Sequence, residues 1–320
     1  MSLGCDLREG KLVFKKNADF FGAISASLFS GAHSTTYKYC FLKCILDNIY
    51  ELDDDYALSF DVIGETFAST YWNLVAVHHI PQMPKFDDGK KSTVERIIES
   101  IINEKPYLDE VRFENVNDLD KLMIATKIIK DFSTYVIGAF YGDTSGLLYG
   151  FSKKQRKIWL NENSFRFLSN NKVLLEQVNY YQWFKMCDSI LHKTGRTIEN
   201  LPKVLEDITL REDLYPYKKE LISKGEDVGC FYCGSKLNKG MHLDHVVPWS
   251  FLKRDDLWNF VFSCSKCNIS KNNRLPQNEY IDKLIERNDK LGIAHPDIKY
   301  IVSVAKANGV KSDWKPRKHE

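Results

Sequence analysis

Apolar residues recur three or four positions apart through much of residues 34–191, the spacing of helices that bury one face. Tyr37, Phe41, Cys44, Ile45 and Ile49 form one such stripe behind Ser34, a suitable N-cap. Ile63, Phe67, Tyr71, Leu74 and Val75 form a second, which Pro81 and Pro84 end. Ser92 followed by Glu95 predicts a capping box ahead of Ile97, Ile98, Ile101 and Ile102, with Pro106 as the stop. A further stripe runs from about Asp118 through Met123 and Ile129 towards Ile137, and another from Lys172 to Leu191. Between these two, Leu147–Phe151 and Lys157–Leu160 are short apolar runs around a polar Ser-Lys-Lys-Gln-Arg link, which predicts a hairpin. Residues 11–29 carry too weak a pattern for an assignment.

The rhythm changes after Thr194-Gly195-Arg196. Short segments rich in Cys, His, Asp and Asn replace the long stripes, and helical spacing returns only in Asn278–Arg287 and His295–Ala307. The division expected is a mainly helical region over 1–212, a small module over 213–277 and a helical extension over 278–320.

Composition narrows the picture only slightly. With 45 Lys and Arg against 43 Asp and Glu, the net charge is +2, so a nucleic-acid surface would have to be a local patch. No window approaches the roughly 20 apolar residues of a membrane span, and a cytoplasmic protein without a membrane partner is expected. Of the 8 cysteines, Cys40 and Cys44 lie one turn apart on an apolar stripe and read as core. Four others are paired: Cys230-Phe-Tyr-Cys233 and, about thirty residues on, Cys264-Ser-Lys-Cys267. Two such knuckles present four thiolates to one ion, so a structural Zn2+ site is expected at Cys230, Cys233, Cys264 and Cys267.

Between and after the knuckles stand Asp244-His245-Val-Val-Pro248, then Asn259, then Asn268 directly after Cys267, with Lys271 following. This constellation resembles the HNH endonuclease family and its ββα-metal fold, with Asn268 rather than His at the last position, a common substitution in that family. The similarity covers about Asp227 to Pro276. It implies that Asp244 and Asn268 hold a catalytic Mg2+ or Mn2+, with hard oxygen donors suited to an ion that keeps several waters. His245, next along a strand and pointing away from Asp244, would be the general base. Asn259 would brace the loop between Trp249 and Trp258 and orient the His245 ring.

His242, two residues before Asp244, shares its strand face and is open to three readings: third metal ligand, phosphate contact or surface histidine. Lys271 and Arg274 on the following helix, with Lys253 and Arg254 in the loop, are candidates to hold flanking phosphates.

The fold expected is therefore α+β: a mainly helical N-terminal domain with a small hairpin, then an HNH module stapled by four cysteines. The function expected is metal-dependent hydrolysis of DNA phosphodiesters, in restriction or anti-phage defence, with DNA rather than RNA as substrate. No P-loop is present, so an energy-driven step would come from a partner protein or ATPase of a defence system. Cutting both strands with a single-site nuclease takes two copies, which suggests a homodimer. A non-catalytic zinc-stapled nucleic-acid-binding or scaffold module would have no use for Asp244, His245, Asn259 and Asn268 together. An RNA-cutting toxin would keep the same metal chemistry.

Overall fold

The apolar stripes fold into helices that bury their marked faces against one another. The structure is a computed structural model that describes residues 7–15, 18–30, 34–83, 91–208, 213–236 and 241–316. Pro84 and residues 209–212, where the sequence puts its boundary, lie outside these. The chain divides into two compact units, Met1–Leu210 and Arg211–Glu320.

The first unit carries strand β1 (Glu9–Gly10), helices α1 (Phe20–Ser25) and α2 (Tyr37–Asp47), strand β2 (Ala57–Ser59), and helices α3 (Phe60–Trp72), α4 (Thr93–Glu104) and α5 (Asp118–Asp143). Strands β3 (Gly150–Ser152) and β4 (Lys157–Trp159) follow, then helices α6 (Glu162–Asn170), α7 (Lys172–Lys193) and α8 (Leu201–Glu206). The capping box is made as the sequence predicts: Ser92 Oγ accepts from Glu95 N at 3.2 Å and Glu95 Oε2 accepts from Ser92 N at 2.8 Å. β3 and β4 form the expected hairpin, Phe151 opposite Ile158, inside an antiparallel sheet ordered β1-β3-β4-β2.

Packing follows the stripes: α3 lies against α5 and α2, α2 against α7, and α4 against α5. The Phe41 ring sits 5.4 Å from both Phe132 and Phe140 and 5.6 Å from Tyr149, in the edge-to-face arrangement aromatic quadrupoles favour. Cys40 and Cys44 are fully buried in this core.

The second unit contains α9 (Tyr215–Ser223), β5 (His242–His245), α10 (Trp249–Leu252), β6 (Phe260–Ser263), α11 (Ser265–Lys271), α12 (Asn278–Leu291) and α13 (Ile298–Ala307). β5 and β6 pair antiparallel, with His242 opposite Ser263, Asp244 opposite Val261 and His245 opposite Phe260. α11 packs on β5, which gives the strand-strand-helix order of a ββα unit. The C-terminal stretch is built into the same unit. Lys283 Nζ donates to Phe231 O at 2.5 Å, Arg287 Nη2 to Phe260 O at 2.6 Å and Asn288 Nδ2 to Trp258 O at 3.0 Å. The chain then returns beside residues 275–277, where Trp314 N donates to Leu275 O at 3.1 Å and Gln277 N to Trp314 O at 2.9 Å. Among the described residues no helix is long and apolar enough to cross a membrane.

Candidate functional site

The first knuckle is a tight turn and the second is the opening turn of α11, and together they bring four sulfurs into one cluster. In the first, Gly234 N donates to Cys230 O at 2.8 Å, and Gly234 takes φ of 71°, a conformation that a side chain would strain. In the second, Cys264 Sγ caps α11 by accepting from Cys267 N at 3.4 Å. The four sulfurs lie within 4.8 Å of one another, and Cys233 Sγ stands 3.8 Å from Cys264 Sγ. A tetrahedral ion with metal–sulfur bonds of about 2.3 Å sets its sulfurs about 3.8 Å apart, so the cluster fits a closed metal site. Without an ion the thiols divide unequally. Burial opposes ionisation of Cys233, yet hydrogen bonds from Ser235 and the neighbouring thiols bring it down to about 6, while burial pushes Cys230 and Cys267 up.

The second cluster is polar. α11 turns about 100° per residue, so Cys267 faces the thiols while its neighbour Asn268 lines a pocket of about 360 Å³. Asp244 and His245 line the same pocket, with Pro248, Trp249, Ile269, Asn272 and Asn273. Strand alternation predicts that Asp244 and His245 point apart. They share the pocket because His245 is the last residue of β5 and the chain bends at Val246 and Val247.

Asp244 is buried and doubly held: Tyr232 Oη donates to its Oδ2 at 2.6 Å, and Lys271 Nζ stands 3.2 Å from the same oxygen. Burial and the Asp244 charge both push the Tyr232 hydroxyl well above its usual range, so it is a neutral donor here. His245 is buried too. Its Nε2 lies 2.6 Å from Asp255 Oδ1, and its ring packs on Phe260 at 4.5 Å between centroids. A proton on Nε2 donated to that carboxylate leaves the lone pair on Nδ1.

Several sequence expectations meet a different geometry. Asn259 clasps the loop, its Oδ1 accepting from Val247 N and its Nδ2 donating to Val247 O, both at 2.8 Å. The ring of His245 is held by Asp255 rather than by Asn259. Lys271 is fully buried, donating to His245 O at 2.6 Å besides facing Asp244, because α11 is pressed against β5. Its ammonium is a buried counter-charge and does not offer itself at the surface to a phosphate. Arg274 is half-buried, its guanidinium donating to Ser270 O and, at 3.3 Å, to Lys271 O. Lys253 lies over the Trp249 ring at 5.1 Å, and Arg254 Nε stands 3.5 Å from Asp256 Oδ1. His242 is exposed at the start of β5 and is absent from the lining of the pocket.

Asp255 and Tyr232 carry no sequence signal for their contacts. One sits in an irregular loop and the other between two cysteines, where no periodicity fixes a direction. The set of donors in the pocket, a carboxylate and an amide oxygen beside a buried imidazole, fits a hard cation next to a base.

No curated protein and no solved structure matches the chain. An HNH nuclease domain implies a nucleic-acid substrate and hydrolysis of its backbone. Residues 230–274 match the family model of the HNH endonuclease, so the segment that holds both the thiol cluster and the polar pocket is an HNH endonuclease domain.

Proposed function

We propose that the chain is a metal-dependent DNA endonuclease in which His245 is the general base and Asp244 and Asn268 are the ligands of one catalytic cation. The observation that carries this reading is the shared pocket of these three side chains, with His245 Nε2 tied to Asp255 at 2.6 Å. Among the described residues no hydrogen bond engages His245 Nδ1, which is the atom left to take a proton. In the reaction a water attacks phosphorus in line while Nδ1 receives its proton, and the bond to the 3′ oxygen breaks, that oxygen taking a proton from a solvent water as it leaves. The products carry a 5′-phosphate and a 3′-hydroxyl. A bound Mg2+ or Mn2+ would supply charge neutralisation at the scissile phosphate and at the departing oxygen.

The remaining residues hold this arrangement. Asp255 fixes the tautomer and orientation of His245, Asn259 fixes the loop that carries Asp255, and Lys271 offsets the buried Asp244 charge. Cys230, Cys233, Cys264 and Cys267 would hold Zn2+, a soft site separate in chemistry from the hard one. The helical first unit selects the substrate or a partner protein, and the whole works in the cytoplasm in restriction or anti-phage defence. Two chains act together where both strands are cut.

The test is incubation of supercoiled plasmid and of RNA with the protein in Mg2+, Mn2+ or EDTA, beside His245→Ala. Nicking of plasmid that needs metal and is lost in the variant is the expected result. Cleavage confined to RNA would move the substrate class, and a variant as active as wild type would overturn the assignment of the base.

A further inference from the structure

The first knuckle contributes more than two thiols. Between its two cysteines stands Tyr232, a buried side chain whose hydroxyl reaches Asp244 Oδ2 at 2.6 Å. The same oxygen faces Lys271 Nζ at 3.2 Å, and among the described residues Oδ1 has no hydrogen bond. One carboxylate oxygen is therefore engaged by two donors while the other remains for a cation.

The tyrosine ring is seated independently of that bond. Trp314 meets it edge-on at 5.0 Å, Tyr280 at 5.6 Å and Phe231 at 5.2 Å. The knuckle backbone is tied to β6 as well, Phe231 N donating to Phe262 O at 2.8 Å. The hydroxyl thus arrives at Asp244 on a rigid mount made of the thiol cluster, β6 and the C-terminal stretch. On the other side, α11 carries Cys267, Asn268 and Lys271, so both fixed contacts of Asp244 Oδ2 come from segments that the four cysteines hold.

We infer that Tyr232 is a positioning residue for the hard-metal site: it pins Asp244 Oδ2 so that Oδ1 alone is presented to the cation, and through it the four-cysteine cluster sets the geometry of the catalytic carboxylate. This rests on the reading of Asp244 as a metal ligand. Carboxylate ligands with an outer hydrogen-bond partner bind their ion in a prepaid orientation, and loss of such a partner weakens metal binding by about 10- to 100-fold.

The test is Mn2+ titration of the full chain by electron paramagnetic resonance, with zinc content measured on each sample. Tyr232→Phe removes only the hydroxyl. The expected result is unchanged zinc and an Mn2+ Kd raised about 10- to 100-fold, with cleavage recovered at high Mn2+. Trp314→Phe keeps the hydroxyl and loosens the ring's seat, and gives a smaller loss in the same direction, which keeps the inference testable if Tyr232→Phe does not fold. Wild-type Mn2+ affinity in both folded, zinc-loaded variants overturns it. Asp244→Ala separates the two levels: if that variant binds Mn2+ like wild type, the metal-ligand reading itself fails, whereas its loss beside an unaffected Tyr232→Phe refutes only the role of the tyrosine.

Discussion

His245 Nε2 and Asp255 Oδ1 stand 2.6 Å apart, both side chains buried. A carboxylate that accepts from Nε2 keeps the proton there and leaves Nδ1 basic. Asp255→Asn can present an N–H to Nε2 and favour the opposite tautomer. A positioned base contributes on the order of 10² to 10⁴ in rate, so this variant is expected to lose about 10- to 100-fold in kcat with little change in DNA binding. Plasmid-nicking rates beside filter-binding affinities check it. A loss of affinity with kcat intact would contradict the role.

Lys271 separates a structural from a substrate-binding lysine. With its ammonium buried between Asp244 and the His245 carbonyl, Lys271→Met leaves the Asp244 charge unpaired, a change that costs about 3–5 kcal/mol. The denaturant midpoint of the second unit is expected to fall accordingly, while the salt dependence of DNA binding stays as in wild type. A lysine on a phosphate would do the reverse, lowering the salt slope by about one and sparing stability.

The thiol cluster makes a metal-content claim. The purified protein is expected to hold about one zinc per chain, and Cys264→Ser to release it at a cost on the order of 5 kcal/mol or more to the second unit. Metal analysis with thermal unfolding measures both. A zinc-free protein with an unchanged second unit would remove the staple from the account.

Asp131 gives the first unit a pH dependence. Burial raises its carboxyl from 3.8 to about 6, against a smaller opposing pull from Arg96, and its Oδ2 is buried without a hydrogen bond. The folded state therefore keeps a proton that the unfolded chain gives up near its ordinary value. Stability from the neutral form is complete below about pH 4 and is lost as pH rises through about 6. Asp131→Asn is expected to raise stability at pH 7 by about 1–3 kcal/mol and to make no difference at pH 3.5. Denaturant unfolding of both proteins at the two pH values decides it, and an equal or destabilised variant at pH 7 would contradict the burial argument.

How far the sequence could be read depended on what fixes each residue. Long helices were legible because one buried face imposes a period, as in the stripe Ile63, Phe67 and Tyr71, and the cap at Ser92 because its two bonds depend only on local spacing. Strands β1 and β2 were not, since two or three residues show no alternation. The cysteines and the identities of Asp244, His245, Asn259 and Asn268 were legible from residue type and order. The burial of Lys271 was not, because it comes from the packing of α11 on β5 and not from any neighbour in sequence. Asp255 and Tyr232 escaped for the same reason: a loop residue 10 positions from His245 and a knuckle residue 12 positions from Asp244 meet their partners only once β5, β6 and the knuckles are assembled.

Cleavage depends on the choice of substrate, but the position of the cation does not. Anomalous diffraction from crystals soaked in Mn2+ is the most direct test of the central claim. The account predicts a manganese peak in the pocket of Asp244, His245 and Asn268, within about 2.2 Å of an oxygen of both Asp244 and Asn268, and a separate zinc peak among the four sulfurs. Manganese bound elsewhere, or a pocket that stays empty of it, would contradict the account.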